Sequence, residues 1–163
     1  MYKIIITWMT ILLFVPVIGC GGVQRGRAPM TIGELWSLCK KEGVKKGRYV
    51  CEGKEVTIAG YLDFINVFDK KRYPNLPYQK FRLIDGPGIL KASNPWQSYT
   101  DSIEVFVVGE GADRLFDKLR SVKGLPLRRV VVKGVIRGFN AYTNQGFTRG
   151  IYLEARPRNV ELQ

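Results

Sequence analysis

The chain has 163 residues, 45% of them hydrophobic and 25% charged, with three Trp, eight Tyr and eight Phe. That is one domain's length with enough apolar content for a real core, which excludes a disordered chain. Lys and Arg number 26 against 14 Asp and Glu, a formal charge of +12, and there is no His at all. The missing His removes Ser–His and Cys–His catalysis and leaves no conventional zinc site. The charge reads two ways: an anionic partner such as nucleic acid, acidic glycan or a phosphate-bearing membrane, or a basic surface that serves solubility.

Residues 4–18 form an almost unbroken apolar run behind Lys3. A spanning helix needs roughly 20 apolar residues, so this run is too short, and Pro16 interrupts its end. A charged start, a short apolar stretch and a small residue at its close fit a secretory signal. The run ends on Val17-Ile18-Gly19-Cys20. These four residues resemble the bacterial lipobox, with an aliphatic residue three before a Cys and a small one next to it. The resemblance implies diacylation of the Cys20 thiol and cleavage before it. Residues 1–19 are then a signal peptide, 20–30 a lipidated tether and 31–163 the folded domain. Gly21, where an Asp would signal inner-membrane retention, implies the outer membrane facing the periplasm if the host is Gram-negative. Arg25 and Arg27 in the tether would sit near lipid headgroups.

With Cys20 assigned to lipid, Cys39 and Cys51 remain as an even pair in an oxidising compartment. That predicts a disulfide; two unpaired thiols buried as small hydrophobes are the alternative. There is no C-x-x-C, and two thiols fall short of a structural zinc set.

Residues 31–42 predict a helix. Thr31 and Glu34 have the spacing of a capping box, Gly43 stops the run, and Ile32, Leu35, Trp36 and Cys39 share a face. The period then changes to two. Over 55–64, Val56, Ile58, Gly60, Leu62 and Phe64 alternate with Thr57, Ala59, Tyr61 and Asp63, a half-buried strand. Gly60 in its middle predicts a bulge or bend. A loop over 66–80 with Pro74 and Pro77 follows, then a second strand in which Phe81 and Leu83 alternate with Lys80 and Arg82, ended by Asp85-Gly86-Pro87-Gly88. Ile103, Val105 and Val107 alternate with Glu104 and Phe106 in a third. A helix over 112–123 turns Leu115, Phe116 and Leu119 inward. Residues 128–139 form a fourth strand with an internal Gly134. Ile151, Leu153 and Val160 lie in a last strand that Pro157 must interrupt or displace.

Five strands with a helix between the third and fourth, and Gly-bent first and fourth strands, resemble the OB-fold. The phrases running from Gly53 to Gly60 and from Val130 to Ile136 are similar to the strand openings of OB-fold nucleic-acid-binding domains. The group they most resemble is the tRNA-anticodon-binding-like set of exported OB-fold proteins. The expected class is therefore mainly β: a five-stranded OB barrel with a helix between strands three and four and an extra N-terminal helix. A different small β-barrel carrying a helix is the competitor.

In an OB-fold the ligand face is the sheet around strands two and three with two flanking loops. Here the first loop, 66–80, holds Phe68, Lys70, Lys71, Arg72, Tyr73, Tyr78 and Lys80, and the second, 138–149, holds Phe139, Asn140, Tyr142, Asn144, Phe147 and Arg149. Arg82 and Arg137 project from strands. Cations interleaved with rings suit single-stranded nucleic acid, charge tracking phosphates while rings stack on bases; rings with Asn also suit sugars. The candidate ligand-binding residues are Lys70, Lys71, Arg72, Tyr73, Lys80, Arg82, Arg137, Phe139, Tyr142 and Arg149. Against this stands the plain structural reading, in which rings pack loops onto the barrel and cations are solvated. Asp63, Asp101 and Glu104 show no acid–base spacing, and no P-loop or dinucleotide motif occurs. The expectation is a binding module with no cofactor, not an enzyme. Anionic glycan, lipopolysaccharide or incoming DNA would suit an exported module. A structural or assembly lipoprotein with an envelope protein partner is the alternative.

Overall fold

A computed structural model describes residues 28–86, 101–121, 128–143 and 146–163. The expected signal peptide, Cys20 and nearly all of the tether lie outside these residues. Among the described residues no helix is long and apolar enough to cross a membrane.

Helix α1 spans Ile32–Glu42. Its start is the expected capping box: the Glu34 N–H donates to Thr31 Oγ1 at 3.1 Å, and the Thr31 N–H donates to Glu34 Oε2 at 2.7 Å. Gly43 ends it at φ 75°, its N–H donating back to the Cys39 and Lys40 carbonyls. Ile32, Leu35 and Cys39 are buried, and the Trp36 indole donates to the Ser102 carbonyl at 3.1 Å. A small hairpin absent from the sequence reading follows, β1 (Val44–Lys45) and β2 (Arg48–Tyr49). Lys46 and Gly47 both turn at positive φ, as a two-residue hairpin loop demands. The hairpin delivers Cys51 to Cys39. The predicted disulfide is present, with Cα atoms 5.2 Å apart and both residues buried.

The barrel strands are β3 (Glu55–Phe68), β4 (Gln79–Ile84), β5 (Ser102–Val107), β6 (Arg129–Thr143) and β7 (Gly146–Ala155), with α2 (Ala112–Ser121) between β5 and β6. Hydrogen-bonded order runs β3-β4-β5-β7-β6, and β6 pairs again with β3 to close the ring. Strand β5 pairs β7 in parallel, and the other pairs in this sheet are antiparallel. This is the OB-fold. After β7, Pro157 has no N–H to give the ladder. The chain makes a 3-10 turn over Pro157–Asn159 and joins the free side of β6 as β8 (Val160–Leu162). The expected interruption at Pro157 is what occurs.

Alternation carries the core. Ile58, Leu62, Phe81, Leu83, Ile103, Val105, Val132, Ile136 and Leu153 point inward and are buried. Helix α2 closes one end with Leu115, Phe116 and Leu119, the Phe116 ring standing edge-on to Phe81 at 6.2 Å. Its expected last residues fall beyond those described. At Gly134 the β6 and β7 backbones approach closely, so that a Cβ would lie 2.5 Å from the Glu154 carbonyl oxygen and 2.9 Å from Leu153 Cγ. Any side chain there would force the two strands apart.

Three expectations need correction. The register break in β3 falls between Asp63 and Val67, not at Gly60. Gly60 instead sits where β3 passes from pairing β6 to pairing β4, and a Cβ there would lie 2.9 Å from Ile32 Cδ1. Its smallness lets α1 dock. Strand β3 continues through Phe68, taking the first residues assigned to the loop over 66–80. The second expected loop, 138–149, is mostly a hairpin, because β6 reaches Thr143 and β7 starts at Gly146. Phe139, Tyr142, Thr143, Phe147 and Thr148 are strand formers, and they outweigh the Asn and Gly residues between them.

Candidate ligand-binding face

The ladder places rings in rows on the outer side of the sheet. Phe68 pairs with Lys80, Lys80 with Phe106, and Phe106 with Glu154. One step along, Arg137 pairs with Tyr152, and Phe139 with Gly150. Period-two alternation turns these residues away from the core that Phe81, Val105 and Leu153 fill. Their rings touch in sequence: Tyr73 to Phe68 at 5.3 Å between centroids, Tyr78 to Phe106 at 5.2 Å, Phe106 to Tyr152 at 4.6 Å, and Tyr152 to Phe139 at 6.3 Å. The Lys80 ammonium joins the two groups, 5.1 Å from the Phe68 centroid and 5.6 Å from that of Phe106, a cation–π arrangement. The result is one aromatic strip from the turn after β3, across β4, β5 and β7, to the β6–β7 hairpin.

The strip stays open to solvent. Tyr73, Tyr78 and Phe139 are 36%, 38% and 42% exposed, so nothing within the described fold buries them. The Phe139 ring lies against Gly150, where any Cβ would collide with it. The turn that carries Tyr73 is fixed by buried Asp69, which accepts the Arg72 N–H at 3.0 Å and pairs with Arg120 of α2 at 3.2 Å. The Asp69 carbonyl also accepts the Tyr73 N–H at 2.8 Å.

Most of the expected cations are internally paired. Glu104 takes Arg82 at 2.9 Å and Lys80 at 3.2 Å, and Glu154 takes Arg137 at 2.8 Å. The Glu154 carboxylate beside Arg137 raises the guanidinium pKa further above its ordinary value. Lys71 turns to Asp117 of α2 at 2.6 Å, which holds that carboxyl below its usual range. Arg149 donates to both Glu52 oxygens and, at 2.6 Å, to Asn140. The Arg149 hydrogen bond lowers the Glu52 pKa against the opposing effect of burial, with the Tyr49 N–H adding to the lowering. A carboxyl so lowered stabilises the fold above its unfolded pKa, and that contribution is lost as pH falls through the folded value.

The structure therefore sorts the candidates. Lys80, Arg82, Arg137 and Phe139 share the outer face, and Tyr73 joins it through Phe68. The Arg72 guanidinium lies 5.6 Å from the Tyr73 ring centre. Lys70 and Arg72 are exposed and have no carboxylate partner among the described residues. Lys71 is drawn toward α2. Arg149 alternates in phase with Ile151 and Leu153, on the side opposite Phe139, and lies with Glu52 across Gly138. Tyr142 pairs with Phe147 near the hairpin tip, and its side chain lies outside the described residues, as does Asn144. Phe106 and Tyr152, the centre of the strip, were missed as site residues. Their signal was a ring at an outward position of an alternating strand.

No family model matches the chain, and no curated protein matches it. Of the expected resemblance, the OB-fold is what the structure shows. Solved structures similar to the chain include the mitochondrial single-stranded DNA-binding protein Rim1 from S. cerevisiae, at 11% identity and TM-score 0.43, covering 68% of this chain and 95% of that one. An OBody bound to hen egg-white lysozyme shares 18% identity at TM-score 0.40, over 68% and 93% of the two chains. A Plasmodium falciparum SSB in complex with single-stranded DNA shares 16% at TM-score 0.39, over 66% and 90%. Likenesses this distant carry no argument about what this chain binds.

Proposed function

We propose that the chain is a non-enzymatic binding module that holds an extended polymer on its aromatic strip, with unpaired nucleic acid as the best-fitting ligand. The observation behind this reading is the run of contacting rings across the outer sheet, three of them exposed. Each base stacked on such a ring contributes about 1–3 kcal/mol, whatever its identity. Lys70 and Arg72 at one end add charge for phosphates. Because Arg82 and Arg137 are already paired, stacking and not bulk charge sets the affinity. Fluorescence anisotropy of the full chain with a labelled oligonucleotide tests this. The single strand should bind at least about tenfold more tightly than a duplex of the same length, because duplex bases are already stacked and shielded. Equal binding would reduce the strip to packing and leave charge alone. Displacement by a glycan oligomer would move the ligand class to sugars, and a co-purifying protein that survives high salt would favour an assembly role.

The module is further proposed to be an exported lipoprotein held at a bacterial membrane through Cys20. The support is the Val17-Ile18-Gly19-Cys20 match behind a short apolar run. Met30, at the tether's end, bonds along β3 at Thr57 and Ala59, so the anchor would lie about ten residues from the barrel, a reach of ~35 Å when extended. Cys20→Ser should abolish fatty-acid labelling of the chain in cells. Labelling that persists would remove the anchor.

A further inference from the structure

Past the strip, the outer face does not end in a flat edge. Glu154 pairs onward to Val135 of β6, and the chain leaves β7 at Ala155 to make the turn over Pro157–Asn159. Between that turn, Val108 and β6 lies an open groove of about 400 Å³, walled by Arg137, Glu154, Arg156, Arg158 and Asn159. Its volume falls within the roughly 300–1,000 Å³ of small-ligand sites. It is contiguous with the strip, since Arg137 pairs with Tyr152 and Glu154 with Phe106.

Charge in the groove is uneven. The carboxylate of Glu154 is taken by Arg137 at 2.8 Å, and that of Glu55, also on the wall, by Lys133 at 3.1 Å. Arg156 and Arg158 are exposed and have no carboxylate partner among the described residues. Two arginines without a carboxylate partner therefore line a concavity whose other charges are paired. A guanidinium stays charged at any working pH and offers a planar fork of donors that matches phosphate oxygens. We infer that this groove is a phosphate subsite: Arg156 and Arg158 bind a backbone phosphate of the strand whose bases stack on the aromatic strip. The inference rests on the nucleic-acid reading above and sharpens it, since a neutral glycan would leave the groove empty.

The test is the salt dependence of oligonucleotide binding by the full chain between about 50 and 200 mM, where each phosphate contact on a single strand contributes ~0.7 to the slope. Arg156→Gln/Arg158→Gln should lower the slope by ~0.7, for the one phosphate released, so that the fourfold salt rise costs the variant about 2.6-fold less affinity than it costs the wild type. Arg114→Gln, an exposed arginine on α2, should leave the slope unchanged. An unaltered slope in the double variant, or an equal fall in Arg114→Gln, overturns the subsite. Inorganic phosphate, followed through the arginine side-chain N–H resonances, separates this inference from the strip. If no oligonucleotide binds, phosphate shifts at Arg156 and Arg158 but not Arg114 still support the groove, and their absence refutes it.

Discussion

Replacing Tyr78 and Phe139 together by alanine is expected to weaken single-stranded oligonucleotide binding at least about 30-fold, from two lost stacking contacts of ~1 kcal/mol or more each. The melting temperature should move by no more than a few degrees. Both rings are more than a third exposed and sit outside the core, so their loss opens no cavity. This pair is chosen over Phe106 and Tyr152, which are half-buried and whose removal would mix binding with packing. The loss should be similar at low and high salt, because no charge is removed. Titration by anisotropy alongside thermal melting reads both quantities. A change of threefold or less with an unchanged melt would mean that the rings cover the barrel and bind nothing.

Breaking the disulfide is expected to cost about 3 kcal/mol, the loop-closure entropy released when a cross-link of this span is removed. Cys39 and Cys51 stand 12 residues apart and join α1 to the start of the barrel. For a domain of this size the melting temperature should fall on the order of 10 °C. Cys39→Ser/Cys51→Ser also places two hydroxyls at fully buried positions, so the variant should melt no higher than the reduced wild type. Scanning calorimetry of both forms makes the comparison. Equal melting of oxidised and reduced wild type would show that packing of Ile32 and Leu35 already fixes α1.

Local chemistry was legible in the sequence. The Thr31–Glu34 capping box and Gly43 delimit α1 correctly, and alternation located all five barrel strands, with Ile58, Leu62, Phe81, Leu83, Ile103, Val105, Val107, Ile151 and Leu153 buried as expected. Pro157 marked the break before β8. What failed was the reading of composition as loop. The hairpin of β6 and β7 is rich in Gly and Asn, yet ladder pairing runs through it to Thr143↔Gly146. The pairing of the candidate cations was not legible. Clustered Lys and Arg read as a cationic track, but the carboxylates that pair with several of them arrive from far along the chain. Arg149 meets Glu52 across 97 residues, Lys71 meets Asp117 across 46, and Arg82 meets Glu104 across 22. Only tertiary structure brings them together: adjacent strands for Arg82 and Glu104, and packing of α2 for Lys71 and Asp117. Phe106 and Tyr152 were hidden for a similar reason, since each meets its ring neighbours only across paired strands.

The proposed function depends on ligand lying along the outer strip. The most direct measurement is a two-dimensional ¹H–¹⁵N spectrum of the full chain titrated with an oligothymidylate. Amide shifts should cluster at Phe68, Tyr78, Phe106, Tyr152 and Phe139, with the exposed residues of α1, such as Ser37 and Lys41, unmoved. Shifts confined to α1 and the β1–β2 hairpin, or none at concentrations that saturate other single-strand binders, would contradict it.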